Sequence, residues 1–224
     1  MAQQEFGPIA THLRFENEHV KVWEMDLAPG EMCGMHRHTL DYVLYILEGG
    51  TIAVESPGKT SNRFPGQATY ELEVGARTIS YVPAGGAESA RNISATRFRE
   101  AIFEMKRPLP AGSDNPGFAL TEALAGKQPE PGVMTILLNS RIRAIETTLA
   151  PGDETGMRYH EHDAAVFVVE GGQVRIVEKP DQGSEQARDI VLDSSTVLWQ
   201  PRGARRNTIS VGDRRYRELR VEFR

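Results

Sequence analysis

Pro29–Gly50 reads PGEMCGMHRHTLDYVLYILEGG, and Pro151–Gly172 reads PGDETGMRYHEHDAAVFVVEGG. The two stretches align without a gap and share the opening Pro-Gly, a Gly-Met, a histidine, an aspartate and the closing Glu-Gly-Gly. Agreement at so many fixed places marks an internal repeat. It extends upstream, where VKVWEMDLAPG (20–30) pairs with IRAIETTLAPG (142–152). Downstream, PAGGAESARNISATRFREAIFEMK (83–106) pairs with PRGARRNTISVGDRRYRELRVEFR (201–224), which sets Pro83 on Pro201, Gly85 on Gly203 and Arg99-Glu100 on Arg217-Glu218. The units cover residues 10–107 and 133–224, and the Pro- and Gly-rich stretch 108–132 between them has the composition of a linker. Within it, FALTEAL (118–124) predicts one or two helical turns.

The remainder predicts strands. Short apolar runs such as Val43–Leu47, Thr51–Val54, Ile79–Val82 and Val166–Val169 are broken by Gly, Pro or Asp. Near the end of each unit Ala101, Phe103 and Met105, then Leu219, Val221 and Phe223, alternate with polar residues, the period of a half-buried strand. Many short strands without a long amphipathic helix predict an all-β sandwich or barrel in each unit.

Composition narrows the classes of function. At 224 residues, 39% apolar and 25% charged, the chain is of ordinary globular type and long enough to bury a core. A net charge of −5 gives no electrostatic reason to expect nucleic acid or an acidic membrane as partner. The opening MAQQEFGPIATH lacks a basic-then-apolar signal, and the single Cys33 excludes an internal disulfide framework, so a reducing cytoplasm is the expected location.

With the repeat in place, the chain resembles the cupin superfamily, and specifically a two-domain cupin (bicupin). The family's first motif, Gly, five residues, His-x-His, three residues, Glu, six residues, Gly, maps onto Gly30, His36, His38, Tyr42 and Gly49, with Tyr42 in place of the glutamate. The second, Pro-x-Gly, two residues, His, three residues, Asn, maps onto Pro83, Gly85, Glu88 and Asn92, with Glu88 in place of the histidine. In the second unit the same places hold Gly152, Arg158, His160, Ala164 and Gly171, then Pro201, Gly203, Arg206 and Ser210. The resemblance implies two tandem jelly-roll barrels, the second with a degenerate site. For activity it is unspecific, because cupins host many chemistries.

Alternation along a strand puts His36, His38 and Tyr42 on one face and Asp41 on the other. If that face lines the barrel, the imidazoles converge and Glu88 approaches from a second strand. Two histidines and a carboxylate suit Fe(II), and Zn(II), Mn(II) or Ni(II) tolerate the same set. Tyr42 then serves as a weak fourth ligand or, with Glu88, as an acid or base. A bulge that turned Asp41 inward would add a carboxylate. Cys33, near this set, is read as packing rather than as a reactive thiol.

In the second unit Arg158 and Arg206 repel a divalent cation. Two readings remain open there. Arg158, His160 and Arg206 form a pocket for a carboxylate or phosphate, or the barrel is kept for structure with its arginines paired to Glu154, Glu161 or Asp163. The charges of the C-terminal stretch predict a solvated sheet face. The expectation is therefore a metal-dependent enzyme, oxygenase-like or a lyase or isomerase, acting on a small organic molecule in the first barrel. The alternative is a non-catalytic small-molecule binding protein. Uncovered sheet edges predict a homodimer or a self-contained pseudo-dimer.

Overall fold

A computed structural model describes residues 6–59, 64–109, 116–180 and 184–224. Nineteen strands and one 3₁₀ turn (Pro57–Lys59) make up the regular structure of those residues. The chain divides into two compact units, one ending at Lys127 and the other running from Gln128 to Arg224.

The first unit holds β1 (His12–Glu16), β2 (Val20–Leu27), β3 (Met32–His38), β4 (Tyr42–Glu48), β5 (Gly50–Glu55), β6 (Thr69–Val74), β7 (Ile79–Val82), β8 (Gly85–Asn92), β9 (Phe98–Met105) and β10 (Ala119–Thr121). They form a six-stranded sheet in the order β1-β2-β9-β4-β7-β10 and a four-stranded sheet in the order β3-β8-β5-β6. The second unit holds β11 (Gly132–Leu138), β12 (Ile142–Leu149), β13 (Arg158–Tyr159), β14 (Ala164–Glu170), β15 (Gly172–Glu178), β16 (Gln186–Leu192), β17 (Val197–Gln200), β18 (Arg205–Ser210) and β19 (Tyr216–Phe223). Its sheets run β11-β12-β19-β14-β17 and β13-β18-β15-β16. The repeat in sequence is thus a repeat in strand order. The structure is all-β, with two sandwich-like barrels of the expected jelly-roll kind.

The motif glycines are explained by backbone proximity. A Cβ on Gly49 would stand 2.5 Å from the Val74 carbonyl oxygen, and one on Gly171 would stand 2.5 Å from that of Leu192. Only a residue without a side chain lets β4 turn into β5, or β14 into β15, against that neighbouring backbone. Asn92 closes the other motif. Its fully buried amide donates to the Leu27 and Thr96 carbonyls, and its oxygen accepts from the Ser94 N–H and hydroxyl.

The repeated Arg-Glu pair also has a structural basis. Arg99 bridges the buried Glu24 and Glu48, while Arg217 lies 2.6 Å from Glu170 and 4.0 Å from Glu146. Glu24 and Glu146, like Glu48 and Glu170, are equivalent positions, so the same ion cluster is built twice.

Three expectations are corrected. The FALTEAL stretch is not helical: Ala119–Thr121 is a strand paired antiparallel to β7, so part of the 108–132 linker belongs to the first unit's sheet. Residues 110–115 of that linker lie outside the described residues. Second, β9 and β19 are not half-buried. Ala101, Phe103 and Met105 are buried on one face, while Glu100, Ile102 and Glu104 are buried on the other. Third, the C-terminal charges are not a solvated face, because Glu218, Arg220 and Glu222 are all buried. Apolar alternation identified a strand correctly, yet it could not say that the polar face was interior as well.

Each barrel has an apolar cluster in its core. Leu27, Ile46, Ile52 and Phe98 pack in the first, and Leu149, Val168, Val174 and Tyr216 in the second. Of the candidate residues, Tyr42 belongs to the first of these clusters, while His36, His38, Glu88, His160 and Arg206 are buried polar groups outside them.

Candidate functional sites

β3 and β8 pair so that His36 lies directly across from Glu88. A register shift between Cys33 and His36 precedes this pairing, and alternation then buries His36 and His38 while Arg37 is exposed. His36 Nε2 lies 3.2 Å from His38 Nε2, and His38 Nε2 lies 3.6 Å from Glu88 Oε1. Donor atoms of His36, His38 and Glu88 all fall within 4.8 Å of one another. Two ligands bonded at about 2.1 Å and set at right angles on one ion stand about 3.0 Å apart, so the histidine pair fits a common metal.

The surroundings prepare that donor set. His36 Nδ1 lies 2.8 Å from the Gly34 carbonyl, which holds the proton there and leaves the Nε2 lone pair facing His38. Burial first, and the neighbouring His38 second, hold the His36 imidazole below its usual range, so it is neutral, the form that ligates metal. The Tyr42 ring stacks on His38 with centroids 4.0 Å apart. The Tyr70 hydroxyl donates a long, 3.4 Å hydrogen bond to Glu88 Oε2.

Other carboxylates face the same interior. Glu104 sits across from Tyr42 in the β4–β9 pairing and accepts a 2.9 Å hydrogen bond from the Trp23 indole. Burial pushes its carboxyl above the ordinary range despite that bond. Glu100, four residues earlier on β9, is buried on the same face. Cys33 is inert by comparison: burial, with Glu100 and Glu88 adding to it, pushes its thiol up to about 11. Asp41 does not turn inward, for it accepts from the Tyr81 hydroxyl at 2.9 Å and the Ala84 N–H at 2.7 Å.

In the second barrel β13 and β18 pair Arg158 with Arg206, the counterparts of His36 and Glu88. His160 replaces His38, but its neighbour is a cation. Arg220 Nη1 lies 2.7 Å from His160 Nδ1, and since a guanidinium only donates, His160 accepts. Burial, then Arg220, Arg206 and Arg158, hold this imidazole down to about 3. Ala164 leaves out the ring that Tyr42 supplies in the first barrel. Arg220 grips Glu218 at 3.2 Å, and Glu218 also accepts from the Tyr216 hydroxyl at 2.7 Å.

The acids expected to neutralise Arg158 and Arg206 are engaged elsewhere. Glu154 accepts from the Asn207 amide and Asp163 from the Arg202 N–H, while Glu161 lines a separate exposed cleft beside His162. Sequence reasoning singled out His36, His38, Tyr42, Glu88, Arg158, His160 and Arg206, and the structure brings the first four together in the first barrel and the last three to one cavity of the second. Glu104, Tyr70 and Arg220 were missed. Glu104 and Arg220 share strand parity with the buried Ile102 and Tyr216, but the burial of that face is not readable from the apolar alternation of the other.

Comparison with known proteins agrees with this architecture. Residues 5–108 match the family model described as auxin binding protein. An oxalate decarboxylase structure, concerned with an element that modulates proton-coupled electron transfer, matches with a TM-score of 0.67 and 15% identity over 92% of this chain and 69% of that one. A tryptophan-to-tyrosine variant of the Bacillus subtilis oxalate decarboxylase gives 0.66 and 14% over 97% and 78%. The protein Ylba from E. coli gives 0.61 and 14% over 92% and 77%. No curated protein matches the chain in sequence. The chain therefore has the two-domain cupin fold, and at these identities the likeness extends to fold alone.

Proposed function

We propose that this two-barrel cupin protein is a metal-dependent enzyme whose first barrel acts on a small, oxygenated organic molecule. The observation that supports the reading is the convergence of His36, His38 and Glu88, with the His36 lone pair already aimed by Gly34. Fe(II) is the metal best matched to two imidazoles and one carboxylate, with Mn(II), Zn(II) or Ni(II) as alternatives. Bound there, the metal supplies a Lewis-acidic centre with positions left over for substrate, or for substrate and dioxygen.

The chain's own residues would do the rest. Gly34 and Tyr70 hold His36 and Glu88 in orientation, and the Tyr42 ring fixes the plane of His38. Tyr42 and Glu88 are the groups placed to pass a proton to or from a substrate, and Glu104 stands beside Tyr42 on the adjoining strand. The same arrangement serves oxygenase chemistry and lyase or isomerase chemistry. The fold likeness to an oxalate decarboxylase adds support to the second.

Anaerobic loading with Fe(II), followed by oxygen uptake over small carboxylates, phenols and diketones, tests the oxygenase branch. Loading with Mn(II), Zn(II) or Ni(II) and product analysis without oxygen tests the other. Metal content near one per chain with turnover of any substrate supports the proposal. A chain that takes up no metal under any of these conditions sinks it.

A further inference from the structure

We propose that the second barrel is a binding site for a small organic carboxylate, gripped by Arg206 and Arg220. Arg206 is 6% exposed, yet its Nε and Nη2 groups have no partner among the described residues. Arg220 is 7% exposed and its Nε is likewise unpartnered, although its other nitrogens hold His160 and Glu218. Buried guanidinium N–H groups without acceptors are an unfavourable arrangement, and acceptors for these three are not supplied by the described residues.

Arg206 and Arg220 both line a cavity of about 280 Å³, to which Arg158 and Arg143 also contribute. Four arginines stand in or around it against two nearby carboxylates, Glu218 and Glu222, and Glu222 is 3.9 Å from Arg143. The surplus is positive, so the complement is an anion. A planar carboxylate matches the fork of a guanidinium through paired hydrogen bonds. Val133 and Ile145 form part of the same wall, which gives a short carbon skeleton something to pack against and an inorganic oxyanion nothing. The volume lies at the small end of ligand cavities, which run about 300–1,000 Å³. His160, kept neutral by burial and then by the arginines around it, leaves the positive charge of the cavity to the guanidinium groups. The inference does not depend on whether the first barrel turns over.

The experiment is calorimetry and thermal unfolding of the full chain with malonate, succinate and benzoate, set against malonamide, inorganic phosphate and sulfate. At least one carboxylate should bind at one site per chain and raise the melting temperature, while malonamide should do neither. Arg206→Gln should weaken that binding by about thirtyfold or more. Arg206→Lys, which keeps the charge and loses the fork, should fall between; it also stands in if Arg206→Gln does not fold. The His36→Ala, His38→Ala double variant should bind the carboxylate unchanged, which separates this site from the metal reading. Three results would each overturn the proposal: undiminished binding in both Arg206 variants, binding of phosphate or sulfate alone, or no binding of any carboxylate at millimolar concentration.

Discussion

Glu88 and Arg206 occupy the same place in the two repeats, each directly across the sheet from a partner that matches it in kind. Glu88 faces His36, and Arg206 faces Arg158. One exchange of charge turns a donor set for a cation into a set of donors for an anion. For the empty protein the second arrangement is costly, because Arg206 is buried with N–H groups unanswered. Replacing it with leucine, Arg206→Leu, should therefore stabilise the unliganded chain, by about 1–3 kcal/mol in urea unfolding. Loss of stability would mean that the guanidinium has partners that offset its burial. His160 gives a second residue-scale expectation. Its folded pKa, near 3, is below the ordinary histidine value of about 6.5, so between those values the unfolded chain binds the extra proton. Its contribution makes stability fall as pH drops through 6.5 toward 3 and leaves it flat above. His160→Gln should remove that part of the acid sensitivity, seen as a shallower loss of unfolding free energy between pH 6.5 and 4 than in the parent. Equal slopes would show that His160 is protonated in the folded state.

At the scale of elements, the turn from β4 to β5 and its copy from β14 to β15 depend on backbone that passes within 2.5 Å of where a Cβ would stand. Gly49→Ala and Gly171→Ala should each destabilise by about 3 kcal/mol, since the obstruction is backbone and cannot swing away. A substitution at either site that left the unfolding midpoint unmoved would show that the turn can relax. These glycines were legible in the sequence because a turn constraint is local and recurs at fixed spacing. So were His36, His38 and Glu88, whose strand positions follow from the same spacing. The faces of β9 and β19 were not. Alternation of Ala101, Phe103 and Met105 with charged residues has the same pattern whether the charges meet water or a polar barrel interior. Only the second layer of each sandwich decides between those cases, and it is contributed by other strands, β3 and β8, or β13 and β18, whose pairing the apolar alternation does not encode. Arg220 and Glu104 were hidden for that reason. The strand at Ala119–Thr121 was hidden for another: a three-residue edge strand is fixed by its partner β7, whereas its own residues carry helical propensity.

At the scale of the whole molecule, one fold has been used twice with unlike interiors, and this predicts how the chain partitions its ligands. The first barrel offers two imidazoles and a carboxylate around one point. The second offers one imidazole, already accepting from Arg220, among cations. A +2 ion about 4 Å from a single guanidinium is opposed by about 8 kcal/mol at an effective dielectric constant near 20, more than a lone histidine restores. Metal analysis of tag-free protein after loading should thus find one ion per chain and not two. The His36→Ala, His38→Ala variant should lose it, whereas Arg206→Leu should keep it, because that substitution empties the second barrel of a charge without giving it a ligand set. Two ions per chain, or metal retained in the double-histidine variant, would contradict the division of labour drawn from the two interiors. Loading should also protect the parent against unfolding by an amount set by free metal over its dissociation constant, and that protection should vanish in the double variant alone.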